Sequence, residues 1–260
     1  MRVTLPRVIH AEWTKLRALR STWIVLAPTA LLVVGLAAAA GWAQHRDVSK
    51  GGAPPSTAEA VGAALLGIDL LSLVIGVFGV LLMTGEYSSG LIRATLAAVP
   101  RRLPVLWAKA VVLVAVAAPV MVAACLAALL ASHAFLGADG ASLADRSVLR
   151  AVFGAAGGAV ATGLLGLGVG AMLRHTAGAI TTLIAGTLVV PALLPVALPH
   201  SVQDHVVPYS PTAAAQAMYA IGTGNNPFKV LPPAGGAVVL AVWIAVVLAG
   251  GAAVLHRRDA

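Results

Sequence analysis

The sequence predicts an all-α polytopic membrane protein. It has six transmembrane helices, an N-terminal interfacial helix, a short helix between spans two and three, and a short helix between spans five and six that dips into the membrane or lies on its surface. Three observations predict this. Of the 260 residues 60% are hydrophobic and only 10% charged, against about 25% charged in an average soluble domain. Six apolar runs, at 22–42, 61–83, 105–130, 149–173, 177–198 and 234–255, each reach the length a bilayer requires, about 20 residues at 1.5 Å rise per residue. Charged residues collect between the runs, at alternating turns.

That alternation sets the orientation. Of the 17 Lys and Arg, only Arg46, Lys50, Arg146, Arg150 and Lys229 fall on one side of the six crossings; all others fall on the side of the two termini. By the positive-inside rule both termini are expected in the cytoplasm. The net charge of +8 is split among membrane-flanking patches, with no basic domain able to hold a duplex, so it is assigned to topology and anionic lipid, not to nucleic acid. Basic residues before the first apolar run resemble a signal peptide, but the run exceeds the usual h-region of about 7 to 15 residues, and an uncleaved first span is expected.

In chain order, Leu5, Ile9, Trp13, Leu16 and Leu19 recur at helical spacing, with Arg7, Lys15, Arg17 and Arg20 elsewhere on the wheel. That pattern predicts a helix lying in the membrane interface. Trp23 and Trp42 bracket the first span as interface anchors. Gly51, Gly52, Pro54 and Pro55 make 44–60 a loop without strong secondary structure. Asp69 is the one acid well inside an apolar run and is open to two readings: a carboxylate facing a substrate path, or a headgroup-level residue of a helix that begins near Leu70. Pro104 suits a first helical turn and Pro119 a kink. Cys125, the single cysteine, reads as a small buried apolar residue. In span four Gly154 and Gly158, then Gly166 and Gly170, are four apart, the spacing that lets helices approach closely in lipid. Arg174 and His175 mark a tight hairpin, and Pro191 and Pro195 bend the end of span five. Ser210 as N-cap and Pro211 at the first position predict a helix over 212–221, too short to cross a membrane.

The stretch 85–109, GEYSSGLIRATLAAVPRRLPVLWAK, is too charged to lie in hydrocarbon. Ser89 and Gly90 are expected to open a short helix over 91–99 that Pro100 stops, lying across the mouth of the bundle where a soluble partner can push on it. Glu86, Gly90, Leu96, Pro100, Arg101 and Lys109 in this stretch, the amino-terminal EWTKLRALRSTW and the later YSPTAAAQA together resemble the ABC-2 type transporter permeases. These are membrane subunits of ABC exporters that work with a separately encoded ATPase. The resemblance implies an ATPase-coupling segment holding Glu86, Tyr87, Ser88, Ser89, Gly90, Arg93, Leu96, Pro100 and Arg101. It implies an N-terminal helix, with Glu12, Trp13, Lys15 and Arg17, that touches the ATPase, and an outer re-entrant pair to which Pro211, Ala215 and Gln216 belong. It further implies two copies of a cytoplasmic ABC ATPase, a second permease copy or paralogue, and residence in the cell membrane as a multi-pass protein.

No G-x-x-x-x-G-K-[ST] phosphate loop and no H-E-x-x-H zinc motif occurs in the sequence. The chain is therefore expected to be a transport subunit and not an enzyme, with no cofactor or metal of its own and ATP with Mg on the partner. His200, Asp204 and His205 read as a solvated loop, not a metal site. The alternatives are an ion- or proton-coupled carrier using Asp69 and a non-transporting membrane subunit.

Overall fold

Every apolar run folds as helix, because backbone polar groups in hydrocarbon are satisfied only within a helix or a closed barrel. The computed structural model describes residues 4–18, 20–92, 95, 103–137, 140–222 and 230–257, so Arg93, Leu96, Pro100 and Arg101 lie outside the described residues. In chain order the helices are α1 (Leu5–Ala18), α2 (Arg20–Ser49), α3 (Thr57–Ala64), α4 (Ile68–Ser88), α5 (Leu103–Leu136), α6 (Arg146–Leu173) and α7 (Thr176–Ile184). A π turn (Ala185–Val189) then leads into α8 (Val190–Ala197), followed by α9 (His200–Val206), a 3-10 turn (Val207–Tyr209), α10 (Pro211–Tyr219) and α11 (Pro233–Arg257). Six of these stretches are long and apolar enough to cross a membrane: Leu26–Ser49, Ile68–Ser88, Leu103–Leu136, Arg146–Leu173, Thr176–Ala197 and Pro233–His256.

The bundle is built around α6, and its glycines explain why. A Cβ on Gly166 would lie 2.0 Å from the Gly76 carbonyl oxygen of α4, and one on Gly79 would lie 2.0 Å from that of Gly163. The two backbones are in direct contact, with packing rather than water expulsion holding them together. Other faces of α6 use the same device: a Cβ on Gly154 would fall on the Met218 carbonyl of α10, and one on Gly168 would lie 2.7 Å from Val247 of α11. The glycine-rich helix thus serves contacts within the chain.

Three segments differ from the sequence-based expectation. The stretch 44–60 is not a plain loop: α2 runs on to Ser49, and Ser56 with Glu59 forms a capping box that starts α3. Span two begins at Ile68 and not Val61, because the chain turns at 65–67 where Gly67 presses on Val33 of α2. Ser89 and Gly90 close α4: the Ser89 N–H bonds the Gly85 carbonyl, and Gly90 takes the left-handed φ of 73° that ends helices. Helical backbone resumes at 91–92.

Two ends of the bundle follow from the contacts. At one, called here the basic end, α1 packs on the start of α5 through Val8, Val105 and Ala108. The Arg174 guanidinium at the α6–α7 turn donates to the Val254 carbonyl of α11 at 3.0 Å and lies 5.3 Å from the centre of the Tyr87 ring. At the far end are α3, α9, α10 and the start of α4. Pro191 has no N–H for the Thr187 carbonyl one turn before it, and here the chain widens into the π turn. The freed Thr187 carbonyl accepts from the Thr212 hydroxyl of α10, which pins span five to the short helix.

Candidate functional site

Lys109 is the most deeply placed charge described, 1% exposed, in the second turn of α5. An ammonium taken out of water costs several kcal/mol unless carboxylates meet it, and two do. Its Nζ donates to Glu12 Oε2 and to Glu86 Oε1, both at 2.7 Å. Lys15 closes the figure, donating to Glu12 Oε1 at 2.7 Å, to Glu86 Oε1 at 2.9 Å and to Thr95 Oγ1 at 3.3 Å. Two lysines and two glutamates alternate in a ring of zero net charge. Its members come from α1, the last turn of α4 and the start of α5.

Local structure sets this ring. Glu12 lies one turn from both Val8 and Leu16, so the buried face of α1 carries a carboxylate between two apolar residues. The face of Leu5, Ile9, Trp13 and Leu16 read from sequence is therefore turned: Leu5 is exposed, Val8 and Glu12 are buried, and Ile9 and Trp13 are only partly covered. Lys15 stands at the edge of that face. Burial works against its charge, but hydrogen bonds and ion pairs with Glu12 and Glu86 outweigh it and raise the Lys15 pKa above the ordinary lysine value. Arg17 points to solvent. Glu86 Oε2 is buried without a hydrogen-bond partner among the described residues.

The remaining residues around the ring divide plainly. Tyr87 is partly buried against the main core and under Arg174. Ser88 and Ser89 are exposed, and their hydroxyls donate to the Gly85 carbonyl at 3.1 and 2.7 Å, capping α4.

Asp69 occupies the first turn of α4 at the far end, exposed. Gln216 Nε2 donates to its Oδ2 at 3.0 Å, and the Tyr219 hydroxyl to its Oδ1 at 3.3 Å, joining α4 to α10. Asp69 and Gln216 edge a cavity of about 620 Å³ between α4, span five and α10, into which Pro211 and Ala215 also project. Ser210 is the N-cap of α10, its Oγ accepting from the Ala213 N–H. The helix ends at Tyr219, where the Arg150 guanidinium of α6 donates to the carbonyls of Met218 and Ala220 at 3.0 and 2.7 Å.

Sequence reasoning singled out Glu86 and Asp69 but missed four residues: Lys109 as counter-ion, Arg150 as the cap of α10, and Tyr219 and Thr212 as donors at the far end. Lys109 was visible as a cation within an apolar run. Glu12 was visible as an acid at i+4 and i−4 from apolar residues. A family model described as ABC-2 family transporter protein matches residues 8–208. No curated protein matches the chain.

Proposed function

The chain belongs to the ABC-2 transporter family, and from that premise we propose that the basic end faces the cytoplasm and takes the push of the ATPase through the four-charge ring. As a family member it is a multi-pass membrane permease of an ABC transporter, a subunit that partners an ATPase subunit and does not hydrolyse ATP itself. The finer reading is export, by a dimer of permeases with two ATPases, each engaging the 85–109 segment.

The observation that carries this reading is the buried ring. It fastens α1, the end of span two and the start of span three into one joint, so force on the intervening segment moves both spans together. A transporter alternating between two states needs such a rigid element whose displacement is shared. Thr95, within the segment, accepts from Lys15, which links the lever to the joint. Glu86 Oε2, unpartnered among the described residues, is an acceptor for a donor that the second state brings in.

Two experiments test it. Purifying the tagged chain in mild detergent should bring an ATPase with it in stoichiometric amount. In that complex Lys15→Ala should lower transport-coupled ATPase activity about tenfold, within the range of coupling energies, with membrane insertion unchanged. Unchanged activity, or reporter fusions placing Arg101 outside the cell, would remove the mechanism. The carrier alternative is separated by flux that needs no ATP and collapses with the ion gradient.

A further inference from the structure

The far-end cavity has a polar lining in which acceptors outnumber donors. Ser72, Thr162 and Thr187 each donate their hydroxyl proton to a carbonyl one turn back in their own helix, at 2.8, 3.0 and 2.8 Å. Thr212 gives its proton to the Thr187 carbonyl. A hydroxyl that has donated offers only lone pairs. Tyr219 and one N–H of Gln216 are spent on Asp69. What these side chains leave for an occupant is therefore mostly acceptors: four hydroxyl oxygens and an exposed carboxylate that two neutral donors position, against two neutral donors, the second N–H of Gln216 and the hydroxyl of Ser210, whose oxygen accepts from the Ala213 N–H. No Lys, Arg or His is among the described residues that line the space, and apart from Ser210 the rest of the described wall is Leu, Pro, Ala and Val.

We infer that this cavity is a binding site for cationic amphiphiles bearing N–H groups, an ammonium or guanidinium on an apolar body, with Asp69 as counter-ion. Its volume of about 620 Å³ falls among small-molecule pockets, in which a few placed polar groups orient a mostly apolar ligand. An anion would meet the Asp69 carboxylate, and a neutral hydrocarbon would leave the acceptors unmatched. Charge-assisted hydrogen bonds are the stronger kind, so the ammonium end sets the preference and the apolar wall holds the body. The inference rests on the permease reading, for it names the class of molecule carried.

The test uses the full chain in lipid nanodiscs without its ATPase, against empty nanodiscs as the partition baseline. The probes are adamantylammonium, adamantane carboxylate and adamantanol, one apolar cage with three polar ends. Titration calorimetry should show the ammonium binding at least about tenfold more tightly than either other probe. Asp69→Asn, checked for an unchanged unfolding temperature, should abolish that preference, and Asp69→Glu should keep most of it. Equal binding of the carboxylate, no binding of any probe, or a preference that survives in Asp69→Asn overturns the proposal. A missing ATPase on purification overturns the permease reading instead, and the two failures are told apart because this titration contains no ATPase.

Discussion

The two acids of α4 stand at opposite ends of one helix and have opposite surroundings. Glu86 is 7% exposed, and two lysines donate to the same oxygen of its carboxylate. Asp69 is exposed, and among the described residues only an amide and a phenol donate to it. A buried carboxylate matched by ammonium groups is held in place by the penalty of removing any partner. A carboxylate that keeps its charge uncompensated beside an apolar cavity still has that interaction to offer. The comparison divides the helix into an end that fixes neighbouring elements and an end free to receive something from outside.

The sharpest break of this contrast is Lys109→Met. It leaves Glu12 and Glu86 buried with Lys15 as their one described cation, and removing one member of a buried pair costs about 3–5 kcal/mol. Thermal unfolding in detergent, followed by circular dichroism, should show a fall of that size. Adding Glu12→Gln and Glu86→Gln to the same chain should recover most of it, since removing the three buried charges together takes their desolvation cost with them and leaves only the half-exposed Lys15. Failure to recover would mean that the ring contributes packing or geometry that charge balance does not explain.

Smaller is the effect of Glu86→Gln, which keeps the shape and one acceptor for the lysines. The expected loss is about 1–3 kcal/mol, the range for a hydrogen bond to a charged group that becomes neutral. Its counterpart Asp69→Asn should stay within about 0.5 kcal/mol, as an exposed substitution does, because the amide oxygen still accepts from Gln216 or Tyr219. Measured side by side, the pair tests the division directly. If Asp69→Asn costs as much as Glu86→Gln, Asp69 is a structural brace between α4 and α10 and not a site.

How much of this was legible in the sequence follows from the range of each signal. Six spans were legible because hydropathy is a local sum, and the glycine spacing of α6 announced close packing because helical faces repeat within a few residues. The N-cap of α10 was legible as Ser210 followed by Pro211. The ring was not, since Glu12, Glu86 and Lys109 are brought together by the docking of α1 and of the end of α4 on the start of α5, across 97 positions for its longest pair. The break at 65–67 was visible only as one of the two readings of Asp69, a helix beginning near Leu70: the apolar run continues through it, and Val33, which Gly67 closely approaches, belongs to another helix. Pro191 announced a bend, but the acceptor it frees finds its donor at Thr212, in an element that hydropathy does not show.

The subtlest handle is the half-exposed member of the ring. Lys15 is the only cation of the four charges with solvent access, 43% exposed at its side chain, so it can be titrated while the others stay covered. Its pKa is raised in the fold: burial alone would lower it, but Glu12 and Glu86 overcome that. A group whose folded pKa lies above its unfolded value contributes stability fully at pH below the unfolded value, and the contribution fades as pH rises through the folded one. The stabilisation from Lys15 is therefore present at neutral pH and lost on the alkaline side of the ordinary lysine value of 10.5. The unfolding temperature of the wild type should drop more steeply than that of Lys15→Ala between about pH 9.5 and about pH 12. Solvent screening keeps the difference small. Parallel curves would mean that Lys15 rests against the ring without bearing on it, and the joint would then be the Lys109 pair alone.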